Sequence, residues 1–277
     1  MSRYPVDSPS PSASANQQSW LYRAPLIITL LIAVMVIVHF GLLVLPEIAQ
    51  IYAKIYGSIV PYRYFLALHQ SVDPIFLWLP PITYQFLHGG FMHLFLNMMF
   101  LLAFGTPVAL RFINAGQISR SPAMLEGEAL SPKSSQLKGS LVFLLFFLGA
   151  GIISGLIYVL LHLQVSSPLI GASGSISALM AAAIRIMVVP PSIDGPSPSN
   201  QDRSHDMAIL PLNNPRLMRF GMAIIGLNVG VGVLQFLFIK QGSLIAWEAH
   251  IVGYLFGLLA LPLFDRIALS SGNARTG

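Results

Sequence analysis

Six long apolar stretches constrain the fold of this chain more than any other feature. A helix rises 1.5 Å per residue, so about 20 residues cross the roughly 30 Å hydrocarbon core of a membrane. In lipid only helices and closed barrels satisfy their own backbone hydrogen bonds, and runs of this length form helices. The sequence therefore predicts an all-α polytopic membrane protein with six transmembrane helices, at 25–45, 91–110, 141–163, 171–189, 217–238 and 245–264.

The composition agrees with this fold class, and the basic residues predict an orientation. Hydrophobic residues make up 55% of the chain and charged residues only 9%, against about 25% charged residues in soluble domains. If the N-terminus is cytoplasmic, only Lys54, Arg63 and Lys240 among the 15 Lys and Arg residues fall in outer segments. This bias follows the positive-inside rule, which places both termini in the cytoplasm.

The domain organisation follows from the same pattern. We expect a disordered polar tail at 1–24, a six-helix domain at 25–265 and a cytoplasmic C-terminal tail at 266–277. The first apolar run begins too late and is too long for a cleaved signal segment. We therefore expect a multi-pass protein. The absence of a signal or transit segment and of a seventh span favours a bacterial plasma membrane, with a eukaryotic organelle as the alternative.

A serine lies at the start of the fourth predicted span, in the sequence Gly-Ala-Ser-Gly at 171–174. Polar groups inside a membrane cost free energy and by default mark function. Ser173 falls in the first turn of its helix, where free N–H groups and the positive end of the helix dipole would stabilise an oxyanion. Gly171 and Gly174 leave room for a neighbouring helix and for substrate. The alternative is a small-residue packing face, which is common between membrane helices.

His250, in the sixth predicted span, is the candidate general base for this serine. Gly253 and Gly257 form a close-packing face on that helix, and His250 lies on the same stripe. Glu248 lies about 200° around the helix from His250, and Asp265 about 22 Å along it, so neither carboxylate reaches the ring. Asp73, in the first outer loop, stays open as a third partner. The sequence predicts a Ser–His dyad whose histidine is held by packing. A structural hydrogen bond or a proton path is the alternative role for this histidine.

His93 and Asn97 lie four residues apart, on one face of the second predicted span. An imidazole and an amide can both donate hydrogen bonds to a developing oxyanion, whereas an amide also suits a polar contact between helices. A metal site is the other alternative, because His88 is close in sequence. The His-Glu-x-x-His pattern of zinc proteases is absent, and the chain has no cysteine. We expect neither a metal nor a cofactor.

Together these motifs resemble the rhomboid family of intramembrane serine proteases. The resemblance rests on three segments in the second, fourth and sixth spans: HGGFMHLFLN at 88–97, GASG at 171–174 and AHIVGYLFG at 249–257. It implies a six-helix rhomboid fold with a water-filled cavity open to the outer face. It further implies that Ser173 is the nucleophile, His250 the general base, and His88 a residue at the cavity edge. His93, Asn97 and the Ser173 backbone N–H would form the oxyanion hole.

The resemblance also implies a substrate class. This would be a single-span membrane protein that enters between the second and fifth helices and is cut near the outer membrane boundary through an acyl-enzyme. Two positions depart from the family pattern. Ser177 stands where many members carry an aromatic residue under the histidine, and Leu79 follows Trp78 where many carry a Trp-Arg pair.

Two other functions are compatible with the sequence. The first is a rhomboid-like protein that binds membrane clients without cutting them, although such relatives typically lose the serine or the histidine. The second is a small transporter, which would more typically show internal duplication or charged residues in mid-span. The expected partners are transmembrane protein substrates and the lipid bilayer, with no nucleic acid.

Overall fold

The computed structural model describes residues 24–118, 132–187, 209–238 and 245–270. The tail predicted at 1–24 lies outside these residues apart from Ala24, as does the end of the predicted C-terminal tail. The first half of the chain forms α1 (Leu26–Leu43), α2 (Glu47–Gly57), α3 (Pro61–Ala67), α4 (Ile75–Trp78), α5 (Pro80–Thr83), a 3₁₀ turn (Tyr84–Phe86), α6 (Phe91–Phe100), a π-helical turn (Leu101–Gly105) and α7 (Thr106–Ile118). The second half forms α8 (Pro132–Leu161), α9 (Ser173–Met187), α10 (Pro215–Phe238) and α11 (Trp247–Leu269).

Each of the six predicted apolar stretches forms a helix over most of its described residues. Within the described residues, five helical segments are long and apolar enough to cross a membrane: Leu26–Leu43, Phe91–Ala115, Gln136–Leu161, Pro215–Phe238 and Trp247–Leu269. The fourth stretch becomes the shorter helix α9, whose 15 residues measure about 22 Å. Most of its side chains are buried, because α9 packs against α7, α8 and α11. The chain is an all-α membrane protein with α9 at its centre.

The second and sixth helical segments extend beyond their predicted ends. The second continues to Ile118 instead of ending at 110, and α11 continues to Leu269 instead of ending at 264. A charged residue follows each predicted end, Arg111 in α7 and Asp265 in α11. These two side chains are buried and form a bidentate ion pair, with Nε–Oδ1 and Nη2–Oδ2 distances of 2.6 and 2.9 Å. Because each charge has an opposite charge beside it, neither helix ends there.

Proline is accommodated inside α11 by a second buried arginine. Pro262 has no N–H, so the carbonyl of Leu258, four residues earlier, loses its helical partner. Arg185 of α9 donates from Nη1 to this carbonyl. Its Nε and Nη2 also donate to the carbonyl of Leu210, at 2.9 and 2.7 Å. One guanidinium therefore ties α9 and α11 to the segment that leads into α10.

The segment between the first two spans is folded onto the helix bundle. The buried Tyr84 donates from its hydroxyl to the carbonyl of Gly151 in α8, at 2.6 Å. Ile59 pairs with Leu169 in an antiparallel bridge, with N–O distances of 3.3 and 2.7 Å. Trp78, by contrast, is 76% exposed. Tyr84 and the bridge thus hold this segment against α8 and against the connection that leads into α9.

Candidate active site

Ser173 is the first residue of α9, and glycine determines how the chain reaches it. Gly171 has φ +116°, in a region that side chains rarely adopt and glycine enters freely. Its N–H donates to the carbonyl of Tyr84 at 2.8 Å. A Cβ at this position would lie 2.8 Å from Cε1 and Nε2 of His93. The turn before α9 therefore places the edge of the His93 ring beside the start of the helix that carries Ser173.

The structure brings Ser173 and His250 into hydrogen-bond contact, with Oγ and Nε2 2.8 Å apart. Glycines on α11 allow the two helices to approach this closely. A Cβ at Gly253 would lie 2.0 Å from the carbonyl oxygen of Gly174, and a Cβ at Gly257 would lie 2.1 Å from that of Ala178. Successive turns of the two helices are thus in backbone contact beside the Ser–His pair.

Asn228 of α10 supplies the second contact to His250, and sequence reasoning missed it. His250 Nδ1 lies 3.0 Å from Asn228 Oδ1. The prediction that packing alone holds the histidine is therefore wrong, because a side-chain amide bonds the ring from a different span. A signal was present in the sequence, since Asn228 lies in the middle of an apolar run. Polar residues at such positions mark function by default.

The two carboxylates nearest His250 in sequence both bind elsewhere. Glu248 Oε1 lies 3.2 Å from His162 Nε2, at the end of α8, and Asp265 pairs with Arg111. Each carboxylate therefore has a partner other than His250, as the helical spacing predicted. Ser177 stands where an aromatic residue is common in the family that the sequence resembles. It donates to the carbonyl of Ser173 at 2.8 Å.

His93 presents one nitrogen to the site and uses the other locally. The N–H of Gly89 donates to His93 Nδ1 at 3.3 Å. Because Nδ1 accepts this bond, the ring proton of the neutral imidazole resides on Nε2, which is the nitrogen that lies against Gly171. Asn97 is buried and donates from Nδ2 to the His93 carbonyl at 2.8 Å. That bond uses one of its two amide hydrogens.

His88 lies beside His93 on the wall of a cavity of about 210 Å³. The two rings meet edge to face, with centroids 5.2 Å apart. Burial, and then the neighbouring His93, lower the pKa of His88 to about 4, so His88 is neutral near pH 7. His39, Gln50 and Lys54 line the same cavity. His88 therefore lies at the edge of this cavity, with its ring against that of His93.

A metal site finds no support in the part of the chain that the structure describes. No group of three or more His, Cys, Asp or Glu side chains there is placed to hold a metal ion. The nitrogens of His93 and His250 instead contact protein groups, as described above, and the His88 ring packs against that of His93.

Buried hydrogen bonds also connect α9 to the segment that precedes α6. Ser175 donates to Gln85 Oε1 at 2.8 Å, and Gln85 Nε2 donates to the carbonyl of Pro81 at 3.0 Å. All three residues are buried. The segment before the second span is thereby connected to the first turn of α9, where Ser173 lies.

A comparison with protein families identifies the domain. The family model described as Rhomboid domain matches residues 77–266, which is more than half of the chain and includes His88, His93, Asn97, Ser173, Asn228 and His250. A search of curated proteins gives no match. The matched range begins before the second span and ends within α11, so the chain belongs to the rhomboid family.

Proposed function

We propose that this protein is an intramembrane serine endopeptidase with Ser173 as nucleophile and His250 as general base. The observation that carries the proposal is the 2.8 Å contact between Ser173 Oγ and His250 Nε2, formed between two helices of a membrane domain. Nucleophile and base within hydrogen-bond reach, with the base held by a third group, is the arrangement that activates a serine hydroxyl. Both side chains are partly accessible.

The proposed reaction proceeds in two stages. Ser173 Oγ attacks the scissile carbonyl carbon while His250 Nε2 accepts the hydroxyl proton. The resulting oxyanion collapses, the C–N bond breaks, and the imidazolium returns the proton to the leaving amine. Water then hydrolyses the acyl-enzyme with His250 as base again.

Three donors are available for the oxyanion. The Ser173 N–H lies at the N-terminus of α9, where backbone N–H groups have no partner within the helix. His93 carries its ring proton on the nitrogen that faces the start of α9. Asn97 has an amide hydrogen that its bond to His93 does not use. Each such donor contributes about 10²- to 10³-fold to the rate of acyl transfer in serine proteases.

The proposed substrates are single-span membrane proteins cut near the outer membrane boundary. Helix α10 supports entry between the second and fifth spans, because only 11% of its apolar window is buried, against 39% in the second span. A segment entering beside α10 would reach Ser173 without crossing a tightly packed interface. We propose cytoplasmic termini on the charge distribution of the sequence. We also propose a bacterial plasma membrane, as expected from the six-span pattern without a seventh span.

Cleavage of a model single-span substrate in proteoliposomes tests this function. Ser173→Ala and His250→Ala should each lower kcat by about 10³-fold or more. Ser167→Ala and His69→Ala are matched controls, because both residues are exposed outside the spans, and both variants should cleave at the wild-type rate. Cleavage that persists in Ser173→Ala would assign the nucleophile elsewhere. A folded wild type that cuts none of several substrates would favour a protein that binds clients without cutting them.

A further inference from the structure

We propose that Asn228 is the third member of the catalytic group, a positioning residue that fixes the tautomer and rotation of His250. Because Asn228 belongs to α10, the base is correctly oriented only while α10 rests on α11. This inference rests on the proposed function and extends it, since it makes the competence of the Ser–His pair depend on the position of a third helix.

The hydrogen bonds determine the amide's orientation. Asn228 Nδ2 donates to the carbonyl of Ile224, one turn earlier, at 2.9 Å. Exchanging the amide oxygen and nitrogen would place Oδ1 against that carbonyl, two acceptors with no hydrogen between them. The acceptor Oδ1 therefore faces His250 Nδ1, at 3.0 Å.

The amide in turn determines the histidine's tautomer. An acceptor facing Nδ1 requires the ring proton on Nδ1, because a neutral imidazole has one donor and one acceptor nitrogen. Nε2 is then unprotonated and accepts from the Ser173 hydroxyl, at 2.8 Å. The opposite tautomer would place an N–H against the serine and leave no base. Fixing the tautomer is the part played by the carboxylate in Ser-His-Asp triads, and asparagine takes it in some hydrolases.

An amide suits this part inside a membrane. A buried carboxylate would have to be desolvated, whereas a neutral amide carries no charge into the hydrocarbon region. When His250 accepts the serine proton, its Nδ1–H bond to Asn228 becomes charge-assisted and strengthens. The contact therefore stabilises the protonated intermediate more than the resting state.

Helix α10 meets α11 along one stripe of its surface. A Cβ at Gly221 would lie 3.5 Å from the Tyr254 hydroxyl oxygen, and a Cβ at Gly232 would lie 2.5 Å from the Trp247 indole. Gln235 donates to the carbonyl of Ile245 at 3.0 Å. Asn228 lies between these contacts, seven residues after Gly221 and four before Gly232, on the same helical face.

Most of the remaining surface of α10 is exposed, although the helix also contacts α9. Its apolar window is the least buried of the five long spans. A modest shift of α10 away from α11 would break the Asn228–His250 bond and leave the α9–α11 contact unchanged. The tautomer of His250 would then no longer be fixed.

The first experiment compares three variants with wild type. Asn228→Leu keeps the side-chain size and removes the acceptor. Asn228→Asp keeps an acceptor oxygen for His250 Nδ1, although its second oxygen replaces the Nδ2 donor to the Ile224 carbonyl. Leu227→Ala is the matched control, since Leu227 is 70% exposed on the same helix. We expect Asn228→Leu to lower kcat by about 10²-fold with KM nearly unchanged. The kcat of Asn228→Asp should be at least tenfold higher than that of Asn228→Leu, and Leu227→Ala should have the wild-type kcat.

A spectroscopic readout separates positioning from a general effect on folding. In ¹⁵N-histidine-labelled protein, with His250→Gln used for assignment, neutral His250 should carry its proton on Nδ1. In Asn228→Leu part of the population should move to Nε2. This readout needs no substrate, so it still decides the inference if the wild type proves inactive and the proposed function fails. A wild-type His250 protonated on Nε2, or an Asn228→Leu variant with unchanged tautomer and kcat, would overturn the inference.

A glycine pair tests the dependence on α10. Gly232→Val places a branched side chain against Trp247 and should lift α10 from α11, whereas a Cβ at Gly230 meets nothing within 4 Å. We expect Gly232→Val to lower kcat at least tenfold and to shift the His250 tautomer, and Gly230→Val to do neither. In the Asn228→Leu background, Gly232→Val should cause little additional loss. A full additional loss there, or wild-type kcat in Gly232→Val alone, would contradict the dependence on α10.

Discussion

The packing of α9 against α11 sets the distance between the two reacting side chains, and Gly253→Ala tests this. A Cβ at Gly253 would lie 2.0 Å from the Gly174 carbonyl oxygen and 2.8 Å from its carbon. Both atoms are backbone, so no rotamer change relieves the clash. Real Cβ contacts are essentially never below 3.0 Å, and the two helices must therefore separate by about 1 Å at this point.

The rate effect follows from that separation. Ser173 precedes Gly174 by one residue, and His250 precedes Gly253 by one turn, so the reacting pair sits at the clash. A 1 Å separation along the contact would lengthen the 2.8 Å Oγ–Nε2 distance to about 3.8 Å, beyond hydrogen-bond reach. A misplacement of this size costs about 10²-fold in rate. We therefore expect kcat in Gly253→Ala to fall by about two orders of magnitude.

The assay is substrate cleavage in proteoliposomes with thermal unfolding measured in parallel. Gly226→Ala is the matched control, because a Cβ there meets nothing within 4 Å. The control should keep the wild-type rate and gain a little helix stability, since alanine is favoured over glycine by up to about 1 kcal/mol. If Gly253→Ala folds and cleaves within twofold of wild type, the packing of α9 against α11 does not set the distance between Ser173 and His250.

Two further predictions concern the turn before α9 and the buried ion pair. Gly171→Ala should lower kcat at least tenfold, because alanine is strained at a φ of +116° and its Cβ would clash with the His93 ring. Gly41→Ala is the control and should keep the wild-type kcat, since a Cβ there meets nothing within 4 Å. Equal values of kcat in the two variants would contradict the prediction. Asp265→Ala removes the carboxylate from the buried Arg111 and should destabilise the fold by about 3–5 kcal/mol, measured as a lower midpoint of unfolding. Arg111→Met combined with Asp265→Leu should recover most of that loss, and an unchanged midpoint in Asp265→Ala alone would show that the pair contributes nothing.

Hydrophobic pattern was sufficient to predict the six helices, because apolar length in a membrane leaves helix as the available structure. The ends of the second and sixth spans were not predictable, because they depend on Arg111 meeting Asp265 across 154 positions of sequence. The folding of the 46–90 segment likewise depends on a distant contact, from Tyr84 to Gly151. Sequence pattern lacks this information about which distant residues meet.

The candidate site was predictable where small-residue spacing determines packing, and was missed where it does not. Gly253 and Gly257 identified the face of α11 that carries His250, and the structure places that face against Gly174 and Ala178. Asn228 lies 22 positions before His250. No local sequence pattern determines how α10 is rotated about its own axis or how far it is shifted along α11. Its polarity marked it, but only the packing of α10 on α11 identifies its partner.

Covalent labelling by a fluorophosphonate tests whether Ser173 and His250 form a reactive pair, because it depends on an activated serine and requires no knowledge of the substrate. In a fluorophosphonate reaction Ser173 Oγ would bond to phosphorus, fluoride would leave, and His250 would take the proton. We expect mass spectrometry of the detergent-solubilised protein to find the adduct on Ser173. Ser173→Ala should be unlabelled, and His250→Ala should be labelled far more slowly. An adduct on another residue, or equal labelling of wild type and His250→Ala, would contradict a Ser173–His250 pair.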